Sequence, residues 1–320
     1  MRPQLDCPSR ARRRPLVAHH FRDQETPVHI IRYRRPDGST GVGTRDDAGS
    51  VSELPVASVA DLLRLSLAEL RALVEAGGPA AEVAEVLPPV DGRTEVWASG
   101  VTYERSREAR VEESTQKSVY ELVYDAERPE LFFKSPAWRV VTTGENVAIR
   151  ADSTLNVPEP ELGLAINSSG EIVGYLVCND MSSRSIEGEN PLYLPQAKFY
   201  AGACAVSDGI RPAWEVDSAD LRITLTVERS GERVFEGETS TARLHRPLTD
   251  LAAYLTLEEN FPDGALLSTG TGVVPEVSFT LAVGDVIVID VESVGRLSNT
   301  VVTGKQHFAY LGERSEVVPA

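Results

Sequence analysis

Three carboxylates carry the first chemical signal in the chain: Glu159, Glu161 and Asp180 stand among residues that otherwise read as apolar β-strands. Glu159 and Glu161 are two apart, so on an extended strand both side chains leave one face, with Pro160 on the other. Carboxylates held this close repel and raise one another's pKa unless a cation neutralises them. An all-oxygen set without His or Cys suits a hard divalent ion, Mg²⁺ most naturally, with Ca²⁺ or Mn²⁺ as alternatives. The spacing alone is equally that of two exposed glutamates at a strand entrance and an ordinary aspartate in a turn.

The elements that must bring these acids together form a hairpin. Residues 161–167 (ELGLAIN) and 172–178 (IVGYLVC) read as strands, and 168–171 (SSGE) between them has turn chemistry. A four-residue loop pairs Asn167 with Ile172 and, counting outward, sets Asp180 opposite Glu159. A slip of one residue would turn Asp180 to the other face.

At 320 residues, with 42% hydrophobic and 25% charged side chains, the chain has an ordinary globular composition and room for two structural units. A formal net charge of −16 argues against nucleic acid as a partner. It also means that an anionic substrate is drawn in by local cations against the overall field. No apolar run reaches the roughly 18 residues needed to span a membrane. The three cysteines, Cys7, Cys178 and Cys204, are scattered and lack CxxC spacing, which points to a reducing compartment and no zinc site. Cys178 and Cys204 sit in apolar surroundings and read as packing. The Arg-rich N-terminus has no apolar segment behind it, so it reads as the mobile leader of a cytoplasmic protein, not as a secretory signal.

The coarse plan is an α+β chain: a flexible leader over 1–26, a small N-terminal α/β unit over 27–90 and a larger β-rich unit over 91–320. A hairpin turns at Pro36-Asp37-Gly38. Residues 58–76 have helical spacing and read as one helix, with a break at Ser66 as the alternative, and Gly77-Gly78 ends it. Residues 87–90 (LPPV) read as a linker. The first unit shows no chemistry of its own and reads as a packing or lid-supporting module. In the second unit, 96–101 and 131–134 read as strands, and 106–124 as a charged surface helix able to order over a site. Further strands are expected over 221–227, 233–236 and 286–291, and a helix over 251–259. Residues 268–272 (STGTG) form a small-residue loop whose amides and hydroxyls could hold an oxyanion.

The ordered series VTYERSREAR, YDAERPELFFK, PEPEL, GEIVGY, NDMSSRSIEGENPLYLPQAK, TARLHRPLTDL and STGTGVVP resembles the fumarylacetoacetate hydrolase family over about two-thirds of the chain. It is most similar to the branch that dehydrates 2-keto-3-deoxy sugar acids. The resemblance implies a mixed β-sandwich roll, a homodimer or higher homo-oligomer, and a divalent ion on Glu159, Glu161 and Asp180. Lys198 matches the family's active-site lysine, for proton transfer or, when charged, enolate stabilisation. Thr271 becomes a substrate contact. Arg184 is expected to grip the substrate carboxylate or brace the metal acids, and Glu187 to protonate a departing hydroxyl. For both, a plain salt bridge is the competing reading. Lys134 is a second candidate base that reaches toward the pocket, and Lys134 and Ser106 are expected to contact the substrate. Hydrolases of the family carry a water-activating His where this chain has Ser106, in Tyr103-Glu104-Arg105-Ser106.

A 2-oxo acid chelated through its carboxylate and ketone oxygens acidifies the proton on C3. The reaction that the resemblance implies is metal-dependent dehydration of a 2-keto-3-deoxy-pentonate to 2,5-dioxopentanoate. An acylpyruvate hydrolase and a 2-oxo acid decarboxylase on the same scaffold compete with it, the missing His weighing against hydrolysis only. A non-catalytic binding protein that keeps the fold is the rival of another class. Ser185, Met181 and Ala201 depart from the branch's usual residues without removing a metal ligand.

Overall fold

A computed structural model of the chain describes residues 27–113 and 117–314; the expected leader lies outside them. The N-terminal part comprises β1 (Val28–Arg34), β2 (Thr40–Asp46), β3 (Val51–Glu53), α1 (Val59–Leu62), α2 (Leu67–Ala76) and β4 (Glu85–Leu87). Then follow β5 (Glu95–Gly100), α3 (Glu104–Glu113), α4 (Lys117–Asp125), β6 (Glu130–Pro136), β7 (Asn146–Ile149) and β8 (Asn156–Val157). The site region holds β9 (Pro160–Ile166), β10 (Ile172–Asp180), β11 (Ser182–Ser183), α5 (Arg184–Glu189), α6 (Leu194–Lys198), β12 (Cys204–Val206) and β13 (Arg211–Pro212). The chain closes with β14 (Arg222–Arg229), β15 (Glu232–Ser240), α7 (Leu248–Leu255), β16 (Ala265–Ser268), β17 (Val286–Val291), β18 (Gly295–Thr303) and α8 (Tyr310–Arg314).

A sheet ordered β12-β10-β9-β16-β5-β6, with β13 also paired to β10, faces a second sheet ordered β15-β14-β17-β18-β7. Side chains of both fill the space between them: Leu162, Leu164 and Val177 from one, Ile223, Leu225 and Ile289 from the other. β14 and β17 alternate buried and less buried residues, as strands with one covered face do. β9 is buried at every position, because its other face is covered as well. There Ala165, Leu176 and Cys178 pack with Leu62, Leu63, Leu70 and Val90 of the N-terminal part. The expected linker is accordingly buried from Leu87 to Val90.

The N-terminal part is pinned to the acid hairpin by polar contacts. Ser168 N donates to Leu63 O at 2.8 Å, and Asn167 Nδ2 to Leu65 O at 2.9 Å. Leu67 N, a helix-start donor with no intrahelical partner, donates to Glu171 Oε2 at 2.9 Å. Asp263, at the far side, accepts from both Arg64 and Arg93. The helix expected over 58–76 is broken at Ser66, which caps α2 in a reciprocal arrangement with Glu69. The helix expected over 106–124 is two, α3 and α4, and the one expected over 251–259 starts and ends earlier, at Leu248 and Leu255. Among the described residues no helix is long and apolar enough to cross a membrane.

Candidate metal centre and active site

The hairpin reaches its expected register by a different route. Asn167 N bonds Glu171 O, not Ile172, so the loop is one residue shorter than expected. A bulge between Ile172 and Gly174 then restores the count, giving Cys178↔Glu161 and Asn179↔Pro160. Asp180 N donates to Glu159 O at 3.0 Å. The three acids are buried, and each offers an oxygen lying within 4.8 Å of the others. This all-carboxylate set fits a hard divalent ion.

Each acid is compensated differently. Glu159 Oε1 accepts from Arg184 at 2.6 Å and Arg110 at 2.9 Å, and Oε2 from Lys198 at 2.5 Å. Burial alone would raise its pKa; Lys198 and Arg110 overcome that and hold it low. Asp180 lies against Lys134 on one oxygen and Lys198, at 3.0 Å, on the other. Glu161 receives neutral donors, the Ser268 hydroxyl at 2.6 Å and the Gly270 amide at 2.7 Å. Burial, followed by the charges of Asp180 and Glu159, pushes Glu161 up to about 8. The donors of the 268–272 loop are therefore spent on the protein's own Glu161 carboxyl.

Lys198 ends α6 and spends its ammonium on Glu159, Asp180 and Ser182 Oγ. Burial opposes its charge, but Asp180 and Glu159 prevail and hold its pKa far above the ordinary lysine value. Lys134 also donates to Met181 O and Lys198 O, so it braces the floor of the site. Arg184, at the start of α5, braces Glu159. Glu187, one turn further along α5, meets Arg110 Nε at 3.1 Å, while its Oε2 is buried with no hydrogen-bond partner among the described residues. Ser106 Oγ donates to Tyr103 O at 2.7 Å and accepts from Tyr103 N; its hydroxyl secures the start of α3. Thr271 Oγ1 is hydrogen-bonded to the backbone of Val273.

A narrow cavity of about 10 Å³ is lined by Glu159, Glu161, Glu187, Lys198, Thr271 and Ser106, together with Arg110, Glu130 and Val101. Sequence reading missed the last three. Burial and the nearby Glu187 charge push Glu130 up to about 7. A Cβ on Gly100 would collide with the Glu130 carboxylate, so that glycine makes its place. Val101 has φ +51°, a strained conformation for a β-branched residue and one found preferentially at functional sites. Nothing in the sequence marked Glu130 beyond its position at the start of the ELFFK strand.

Residues 95–302 match the family model described as Fumarylacetoacetate (FAA) hydrolase C-terminal, and the chain belongs to the fumarylacetoacetate hydrolase family. It is 47% identical over 216 residues to a Haloferax volcanii protein named "Probable 2-keto-3-deoxyxylonate dehydratase", covering 67% of this chain and 74% of that one. It is 42% identical over 217 residues to the "2-dehydro-3-deoxy-D-arabinonate dehydratase" of Saccharolobus solfataricus, covering 66% and 72%. A solved structure of a "2-keto-3-deoxy-D-arabinonate dehydratase complexed with magnesium and 2,5-dioxopentanoate" superposes with a TM-score of 0.75 at 32% identity, over 86% of this chain and 99% of that one.

Proposed function

We propose that the protein is a divalent-metal-dependent dehydratase of a 2-keto-3-deoxy-pentonate, forming 2,5-dioxopentanoate. The observation that carries this reading is the buried carboxylate trio, two of whose members, Glu159 and Glu161, line one cavity with Glu130 and Glu187. The relatives named as 2-keto-3-deoxy-pentonate dehydratases, and the neighbour bound to magnesium and 2,5-dioxopentanoate, support it. A Mg²⁺ ion held by Glu159, Glu161 and Asp180 supplies Lewis-acid polarisation of the 2-oxo group.

The chain's own residues divide the remaining work. Glu130, with its carboxyl near neutrality, takes the proton from C3, since transfer is most efficient when the pKa lies near the working pH. Glu187 gives a proton through Oε2 to the hydroxyl leaving C4, which departs as water. A proton then leaves C5 as one returns to C3, which moves the double bond to C4–C5. The resulting enol gives up its hydroxyl proton as C4 is protonated, leaving C5 as an aldehyde. Lys198 stays charged and stabilises the developing negative oxygen. Thr271 contacts the substrate beside the Glu161 loop, and Lys134 and Arg184 keep the acids in place. Ser106 lines the cavity without the base that hydrolysis of a C–C bond needs.

Residues 27–90 act as a supporting module for the 91–320 catalytic unit. The working protein is a cytoplasmic homodimer. The test is incubation of purified protein with Mg²⁺ and 2-keto-3-deoxy-pentonates, scoring the aldehyde with an aldehyde dehydrogenase. We expect turnover that EDTA abolishes and Mg²⁺ restores. No aldehyde, or cleavage of acylpyruvates instead, overturns the assignment.

A further inference from the structure

The cations around the acids are not equivalent. Lys198 places its ammonium against three oxygen partners, as many as its N–H donors. Lys134 and Arg184 are almost wholly buried, at 1% and 2% exposure, and neither belongs to the lining of the cavity. Arg110 does line it. It comes from α3, one turn after Ser106 and on the same face of the helix, and spans Glu159 at 2.9 Å and Glu187 at 3.1 Å.

The charges make Arg110 the movable member of the set. Five acids, Glu130, Glu159, Glu161, Asp180 and Glu187, face four cations, Arg110, Lys134, Arg184 and Lys198. With Glu187 holding the proton it donates and the other four acids ionised, the cluster is neutral. A divalent ion gives it two positive charges, which favours an incoming substrate carboxylate. Arg184 still holds Glu159 Oε1 from the buried side, so Glu159 keeps a partner when Arg110 leaves it. Something must also move on steric grounds. The free space, about 10 Å³, is roughly that of one water molecule on this measure, far too little for a five-carbon acid.

We propose that Arg110 is a substrate-binding residue: once a divalent ion occupies the acids, its guanidinium exchanges Glu159 for the carboxylate of the incoming 2-oxo acid, and α3 shifts with it. This deepens the dehydratase reading and rests on it. A forked guanidinium is suited to the exchange because it can hold a carboxylate through two parallel N–H donors. Its Nε remains on Glu187, so the grip on the anion also orients the group assigned as proton donor.

The test is calorimetry on full-length wild type, Arg110→Gln and Arg110→Lys, in two titrations. Mg²⁺ is titrated into EDTA-stripped protein, and then 2-oxobutyrate, which lacks a C4 hydroxyl to lose, into the Mg²⁺-loaded form. We expect Arg110→Gln to bind Mg²⁺ as tightly as wild type or more so, because a competing cation is gone from Glu159. It should bind 2-oxobutyrate about 30- to 100-fold more weakly, the scale of one lost charge-assisted hydrogen bond. Arg110→Lys should recover part of that loss, and the KM for substrate should rise in the same order across the variants. Weaker Mg²⁺ binding with unchanged 2-oxobutyrate affinity in both variants makes Arg110 a brace for Glu159 and overturns the proposal. If wild type binds Mg²⁺ but no 2-oxo acid, the dehydratase reading fails and this proposal with it.

Discussion

Glu130 shows how a single side chain ties the chemistry to the stability of the fold. Its carboxyl is raised from the ordinary value to about 7, first by burial and then by Glu187. A group raised in the folded state favours folding fully below its ordinary pKa and loses that contribution as pH rises through the folded value. The metal-free protein should therefore lose stability between pH 5 and 8 through this residue. Glu130→Gln, near-isosteric with the protonated acid, should melt with wild type at pH 5 in EDTA. At pH 8 it should melt higher by a few degrees, corresponding to about 1–3 kcal/mol. Melting curves whose separation does not change with pH would show that the fold does not disfavour the ionised form of Glu130. The same variant should lose turnover at every pH, because the amide cannot accept the C3 proton.

At the level of elements, the junction between the N-terminal part and the catalytic sheets depends on a few well-placed groups. Asp263 is 3% exposed, and its carboxylate accepts from Arg64, which follows α1, and Arg93, which precedes β5. The Arg93 hydrogen bonds and then those of Arg64 hold its pKa well below the ordinary value against the opposing effect of burial. Its contribution is thus present above the ordinary aspartate pKa and is lost as pH falls through the lowered folded value. Asp263→Asn should cost about 1–3 kcal/mol at pH 7, discounted because both arginines are largely solvated. Catalytic turnover at 25 °C should be unchanged. A thermal melt at pH 7 equal to wild type, or a kcat that falls with stability intact, would contradict this account. The hairpin was legible from sequence because its two-residue alternation and turn residues are local, and counting outward placed Asp180 correctly. The shorter loop and the bulge at Val173 cancel in that count, so the end was right although the path was not. Glu130 and Arg110 were not legible. They arrive from β6 and α3, about 30 and 50 residues before the acids, and only tertiary packing makes them neighbours. α3 reads as a solvated charged helix because six of its ten residues, Glu104 to Glu113, are Arg or Glu outside position 110. The inward turn of Arg110 is set by what it meets.

For the whole molecule, the net charge of −16 opposes the approach of an anionic substrate, whereas the cations proposed to receive it act at short range. Salt shortens the reach of the repulsion from about 30 Å at 0.01 M to about 8 Å at 0.15 M, and leaves buried pairs largely untouched. The kcat/KM for a 2-oxo acid, at saturating Mg²⁺, should therefore rise severalfold as KCl is raised over that range. A steady fall would instead show that attraction by the site extends into solution. β9 gives the molecule another property. Leu162, Leu164 and Ile166 belong to one core while Ala165, between the last two, belongs to the other. The match to the family model begins at residue 95, yet packing recognises no seam there. This strand is a party wall, and a change made on the unshared side of the house is felt in the room where the acids sit.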